Sequence, residues 1–244
     1  MDRRDAITRQ HFHQQIVFRP AGDAALGDLK FDADVAARLT GAPDGAIVTL
    51  EIHAQRRWAL LTVTHPMLVT SAELIVIGAD QGTVLRIDDL RLAQTGSGMG
   101  ARMFAHQARA ARALGFCGIV LWAGAGVDAQ DGLALNGLYA WARLGFDAPL
   151  PYTYAAAQKY ALIWADEPFA PTRARIAWLQ AWPATLRGAA SVRDVMQSEA
   201  GRHWWRACPD GSYLRFDCAD GASWHTLHAY LHEKGICIEQ GDGA

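Results

Sequence analysis

Gln94-Thr95-Gly96-Ser97-Gly98-Met99-Gly100 stands between an apolar run, Thr83–Ala93, and a clean helical pattern from Met99 to Leu114. Three alternate glycines remove the Cβ atoms where a strand would turn into a helix. Their N–H groups can then point outward at the positive end of a helix dipole, an arrangement that suits a phosphate or diphosphate. A tight strand-to-helix turn without ligand is the plainer alternative. Working outward, Gly115 is a natural helix stop and Phe116–Trp122 reads as a buried strand. A second helix follows, with Asp131 as its cap, a stripe of Leu135, Leu138, Tyr139 and Ala142, and Gly145 at its end.

Of two familiar glycine loops, the first fails here and the second matches only loosely. A P-loop needs Lys and then Ser or Thr after its last glycine, and Ala101 and Arg102 follow instead. A dinucleotide fingerprint places an acid about 20 residues on. The next strand instead ends in Leu121-Trp122-Ala123-Gly124. Upstream, Ala46–His53 alternates, with Val48, Leu50 and Ile52 on one face and Thr49, Glu51 and His53 on the other. Arg57–Thr64, Ala72–Ile77 and Thr83–Ala93 read as three more strands, and Phe31–Leu39 as a helix stopped by Gly41 and Pro43.

The ordered set of Gly98-Met99-Gly100 at a helix start, Ala113-Leu114-Gly115-Phe116, a strand at Gly118–Ala123, and a helix closing on Leu144-Gly145-Phe146 resembles the GNAT superfamily of acyl-CoA-dependent N-acyltransferases. The resemblance covers roughly residues 45–165. It implies an α/β (α+β) fold, with a mixed, mostly antiparallel sheet flanked by helices and a small α+β C-terminal extension. The expected divisions are an arm and short helix at 1–44, an acyl-CoA-binding domain at 45–167 and an aromatic-rich extension at 168–244. It further implies acetyl-CoA or another acyl-CoA as cofactor, and an amine acceptor, small molecule or protein, that attacks directly in a ternary complex.

By the same resemblance, the backbone of Leu90, Leu92 and Ala93 would hold the pantetheine arm, and Gly96, Gly98, Met99, Gly100 and Ala101 would give N–H groups to the diphosphate. Asn136 could bond the cofactor, and Tyr139 would protonate the leaving sulfur. Thr95 stands where the family usually carries Gln or Arg, and Trp141 stands where it usually carries Tyr, two residues after Tyr139. These departures keep open a second expectation: a degenerate domain that binds acyl-CoA or a protein partner without turnover.

Acyl transfer to an amine needs a proton acceptor. Asp88 and Asp89 sit in an otherwise apolar strand, where period two would send them to opposite faces. Adjacent acids there are costly unless solvated or paired, and Arg86 and Arg91 are the nearby partners. Asp88, sharing a face with Arg86, Leu90 and Leu92, is the first choice of base. Glu51 and His53 are the runners-up, and His65, before Pro66, reads as a loop residue.

Composition bounds the rest. The 244 residues are half apolar with net charge −2, which argues against a nucleic-acid surface, although Arg102, Arg109 and Arg112 form a local patch on the expected outer side of helix 99–114, with His106. No run approaches ~18 apolar residues, so no membrane span is expected. The start, Met1-Asp2-Arg3-Arg4-Asp5, leads into no apolar signal region, and four cysteines lack paired spacing, so a cytoplasmic location is expected. Cys117 reads as core rather than nucleophile. His228 and His232 are one turn apart, but without a C-x-x-C pair no metal is expected. Beyond residue 168, helices around Trp178 and Val192–Met196, a strand at Tyr213–Asp217 and a helix at Ser223–Glu233 are expected, after late strands at Tyr152–Tyr154 and Tyr160–Trp164.

Overall fold

A computed structural model of the chain describes residues 4–80, 82–127, 134–150, 178, 186, 188–208 and 211–238. The expected late strands, most of the helix around Trp178 and the Asp131 cap lie outside the described residues. The order begins α1 (Ala6–His11), β1 (Val17–Ala21), β2 (Ala25–Leu26), β3 (Leu29–Lys30) and α2 (Ala33–Thr40). Then come β4 (Ile47–His53), β5 (Trp58–Thr64), β6 (Ala72–Ala79), β7 (Gly82–Asp89) and α3 (Met99–Ala113). β8 (Gly118–Ala123), β9 (Gly126–Val127), β10 (Ala134–Leu135) and α4 (Gly137–Arg143) follow, then α5 (Val192–Met196), α6 (Glu199–Arg206), β11 (Ser212–Asp217) and α7 (Gly221–Glu233).

One seven-stranded sheet runs in the order β1-β4-β5-β6-β7-β8-β11. β1 is parallel to β4, and the β4–β5, β5–β6 and β6–β7 pairs are antiparallel. The fold is therefore mixed α/β around a mostly antiparallel sheet flanked by helices. Ser212–Asp217, expected in a separate extension, is a strand of this sheet. Two compact units divide the chain: Met1–Ile119 with Asp217–Gly221 and Leu227–Ala244, and Val120–Phe216 with Ala222–Thr226. The division falls inside β8, at the end of β11 and inside α7.

In the first unit the alternation seen in the sequence becomes rows across strands. Leu50, Leu61, Leu74 and Ile87 stand side by side on the buried face. Val48, Val63 and Ala72 form a second buried row. Each large aliphatic so buried contributes roughly 1.5–3 kcal/mol, several times an exposed ion pair at ~0–1 kcal/mol. The opposite face, carrying Thr49, Glu51, Thr62 and Glu73, stays partly exposed. Asp32 starts α2 by accepting from the Val35 N–H (2.8 Å), and Gly41 ends it in the left-handed region at φ 57°. Helices α2 and α3 are in intimate contact there: Gln107 Nε2 donates to the Thr40 carbonyl at 2.7 Å.

The second unit has its own aromatic core. Trp205 is fully buried and donates its indole N–H to the Leu138 carbonyl (3.0 Å). Phe146, Phe216 and Trp224 meet in a chain of tilted and edge contacts. Gly145, at φ 97°, lets the chain pass so close to Ser223 that an added Cβ would lie 2.4 Å from its carbonyl oxygen.

Gly41→Ala is expected to destabilise the protein. It would place a Cβ 2.1 Å from the Met103 carbonyl in a left-handed backbone, a conformation costing about 1–3 kcal/mol before the clash is relieved. A urea midpoint equal to wild type would contradict this account of the α2–α3 contact.

Candidate functional site

Past the end of β7 the chain continues extended alongside Met67–Val69. The Arg91 carbonyl accepts from the Val69 N–H, and the Ala93 N–H donates to the Met67 carbonyl, both at 2.9 Å. Leu90 and Leu92 alternate with them, so their polar backbone groups face the other way. This separates the three residues expected at a pantetheine arm. Leu90 and Leu92 present a backbone edge, whereas the Ala93 N–H is already committed to Met67.

Thr95 to Ser97 are exposed, and the chain turns through left-handed Gly96 (φ 83°) and Gly98 (φ 71°) into α3. Gly98 is the N-cap, and no side chain caps the helix. Its carbonyl accepts the first helical bond, from the Arg102 N–H at 3.1 Å. The Met99 N–H reaches Ser97 Oγ at 3.4 Å. The N–H groups of Gly98, Gly100 and Ala101 have no acceptor among the described residues. Bare donors at the start of a 15-residue helix make a region of positive potential. Gly100 has a packing reason as well, because an added Cβ would sit 3.0 Å from Leu92 Cδ1.

Arg102 corrects the sequence reading. It was expected on the outer side of the helix, yet it is 4 % exposed. Its Nε donates to Thr8 Oγ1 (3.1 Å), Nη1 to the Ser97 carbonyl (3.1 Å) and Nη2 to Asp5 Oδ1 (2.7 Å). Asp5 is the N-cap of α1, accepting from the Ile7 and Thr8 N–H groups, and its Oδ2 accepts from Thr8 Oγ1 (2.7 Å) and the Cys237 N–H (3.0 Å). Burial pushes the Asp5 carboxyl up, but the hydrogen bonds from Arg102, Thr8 and Cys237 outweigh it and hold its pKa well below the usual carboxylate range. Asp5 and Thr8 went unnoticed in the sequence. The available signal was weak: an Asp before a short helix, and one arginine in an apolar first turn. Leu114, the last residue of the apolar helical pattern, is 38 % exposed at the helix end.

The candidate bases lie on the sheet. Glu73 opposes Asp89 while Leu74 opposes Ile87, so Asp88 is an extra residue in β7, a β-bulge. The bulge breaks the alternation that would have sent the two acids to opposite faces. Asp88 is ion-paired with Arg86, and Asp89 accepts from Thr70 Oγ1 (2.8 Å) and Arg91 Nε (3.1 Å). Glu51 is well exposed and 4.0 Å from His53 Nε2, whose ring stacks on Trp58. Glu51 shares a row with Leu60, Ile75 and Arg86, three strands away from the last. At about 4.8 Å per strand, Glu51 and Asp88 are too far apart to act on one bond. His65 Nδ1 accepts from the Met67 N–H (3.1 Å), and burial lowers its pKa.

Asn136 and Tyr139 belong to the second unit. Asn136 occupies the N-cap of α4; it is exposed and makes no side-chain capping bond. The Tyr139 ring is half-buried, with the Arg206 guanidinium 4.0 Å above it. Trp141 packs edge-on against Phe146 at 5.2 Å. Cys117 is only half-buried rather than core. Among the described residues no cluster of His, Cys, Asp or Glu could hold a metal ion, and no helix is long and apolar enough to cross a membrane. No protein-family model, curated protein or solved structure matches the chain.

His106, on α3, stacks against Phe12 at 5.1 Å, and its buried Nε2 has no hydrogen-bond partner among the described residues. Burial first, then the charges of Arg109 and Arg4, lower its pKa from 6.5 to about 4. The unfolded chain therefore binds the extra proton as pH falls from 6.5 to 4, and stability should drop across that window by up to about 3 kcal/mol. Chemical denaturation at stepped pH tests this, with His106→Leu expected to flatten the slope. An equal slope in both proteins would exclude His106 as the source.

Proposed function

We propose that this chain is an acyl-CoA-dependent N-acyltransferase of the GNAT kind, moving an acetyl or other acyl group to an amine acceptor in a ternary complex. The observation that supports the reading most is that the Gly98, Gly100 and Ala101 N–H groups have no acceptor among the described residues, at the start of a helix that follows directly on the extended Leu90–Ala93 segment. An extended thiol arm ending in a diphosphate needs such a pairing: a strand edge for its amides and bare donors for its charge. Gly96 and Met99 shape the same corner. All four cysteines are thiols rather than disulfides, which fits a reducing, cytoplasmic setting.

The chemistry is a direct displacement. The amine nitrogen attacks the thioester carbonyl, the C–N bond forms, the C–S bond breaks, and the thiolate takes a proton. Asp88 is the assigned base, with Glu51 too distant along the sheet to share the task. The resemblance alone would make Tyr139 the proton donor to sulfur and Asn136 a further cofactor contact. The Arg86–Asp88 pair favours a second reading, because the carboxylate is already engaged by a guanidinium where an incoming amine would need it. In that reading the domain binds acyl-CoA and does not turn over.

Calorimetric titration with CoA and acetyl-CoA, joined to thiol release on a panel of amines, separates the two. Gly98→Glu is expected to abolish CoA binding while the circular dichroism stays native, since it adds negative charge at the diphosphate corner. Asp88→Asn should bind CoA normally and turn over ~10²–10⁴-fold more slowly. Wild-type rates for Asp88→Asn across pH would remove it from the mechanism.

A further inference from the structure

We infer that Arg102, held in place by Asp5 and Thr8, is a positioning residue that aims the Gly98 amide at the cofactor's diphosphate. The inference rests on the acyl-CoA reading and deepens it by assigning what shapes the corner. In a trans peptide, the carbonyl of one residue and the N–H of the next point to opposite sides. The Ser97 carbonyl is drawn inward by Arg102 Nη1 at 3.1 Å, so the Gly98 N–H is turned away from the guanidinium. The loop before it, from Ala93 to Ser97, is exposed.

Gly98 and Arg102 form one device. A Cβ at position 98 would lie 2.7 Å from Arg102 Nη1, so the guanidinium occupies the space a side chain would fill. The left-handed φ of 71° at the cap then comes without strain only for glycine. Arg102 is in turn immobile, because its other two bonds go to α1: Nη2 to Asp5 and Nε to Thr8. The fork geometry matters, since three acceptors lie around one planar group, and a lysine ammonium cannot satisfy them from the same position. The charge is already neutralised by Asp5, so Arg102 acts through the direction of a peptide plane rather than as a free cation for the ligand.

Asp5→Asn and Arg102→Lys test the relay, with circular dichroism confirming that each folds. Asp5→Asn is the milder change: it keeps the shape and places an amide where Cys237 N–H now finds an acceptor. Titrations use CoA and pantetheine, which lacks the diphosphate. Both variants are expected to bind CoA about tenfold or more weakly, the worth of one hydrogen bond to a charged group, while pantetheine affinity stays within about twofold. In the ligand-free proteins the 15N–{1H} NOE of Ser97 and Gly98 is expected to fall. Wild-type protein that binds no CoA would sink the acyl-CoA reading and this inference with it. Wild-type binding with unchanged CoA affinity in both variants would overturn the relay alone. Equal weakening of both ligands, or an unchanged NOE at Gly98, would reduce Arg102 to a structural role and overturn it as well.

Discussion

The ion pair between Arg102 and Asp5 is the contact on which the glycine corner depends. A guanidinium taken out of water is tolerable only where its donors meet acceptors, and removing one partner of such a pair costs about 3–5 kcal/mol. Here one charge gathers a helix cap, a hydroxyl, a loop carbonyl and a segment from the far end of the chain. Exposed pairs such as Arg57–Asp80 are worth ~0–1 kcal/mol and organise little around them. The interior pair outweighs them because each of its atoms is answered.

The sheet shows a second tension, between packing and chemistry. Rows of leucine, valine and isoleucine fix the register of β4 to β7, and a one-residue slip would turn each row to the other face. The bulge at Asp88 is where that register is broken. It lies at the end of β7, just before the Leu90–Leu92 edge, so the strand stops pairing regularly where a ligand would need its backbone. The two acids at the break are each tied to an arginine two residues away in sequence.

Much of this was legible from sequence, for reasons that can be named. Val48, Leu50 and Ile52 announce a strand because period two is a local signal, and Gly41 marks the end of α2 because capping is local too. Gly98 marks a helix start for the same reason. The burial of Arg102 was not legible, since its carboxylate partner is 97 residues away and nothing nearby in the sequence records the pairing. The bulge escaped because it is a property of two strands rather than one. The start of α4 at Asn136 carries no such capping signal, because no side chain caps the helix there. Trp141 next to Phe146 shows how a position can be filled by the demands of packing alone.

The bond from the Cys237 N–H to Asp5 joins residues 232 apart. Closing so long a loop carries an entropic cost that grows only slowly with length, so the junction is tolerable, but it cannot form until 232 further residues have been made. On the ribosome, the helix-capping aspartate of α1 must wait for residue 237 to emerge before both of its oxygens are fully satisfied. Until then the nascent chain would carry the glycine corner in an unfinished form.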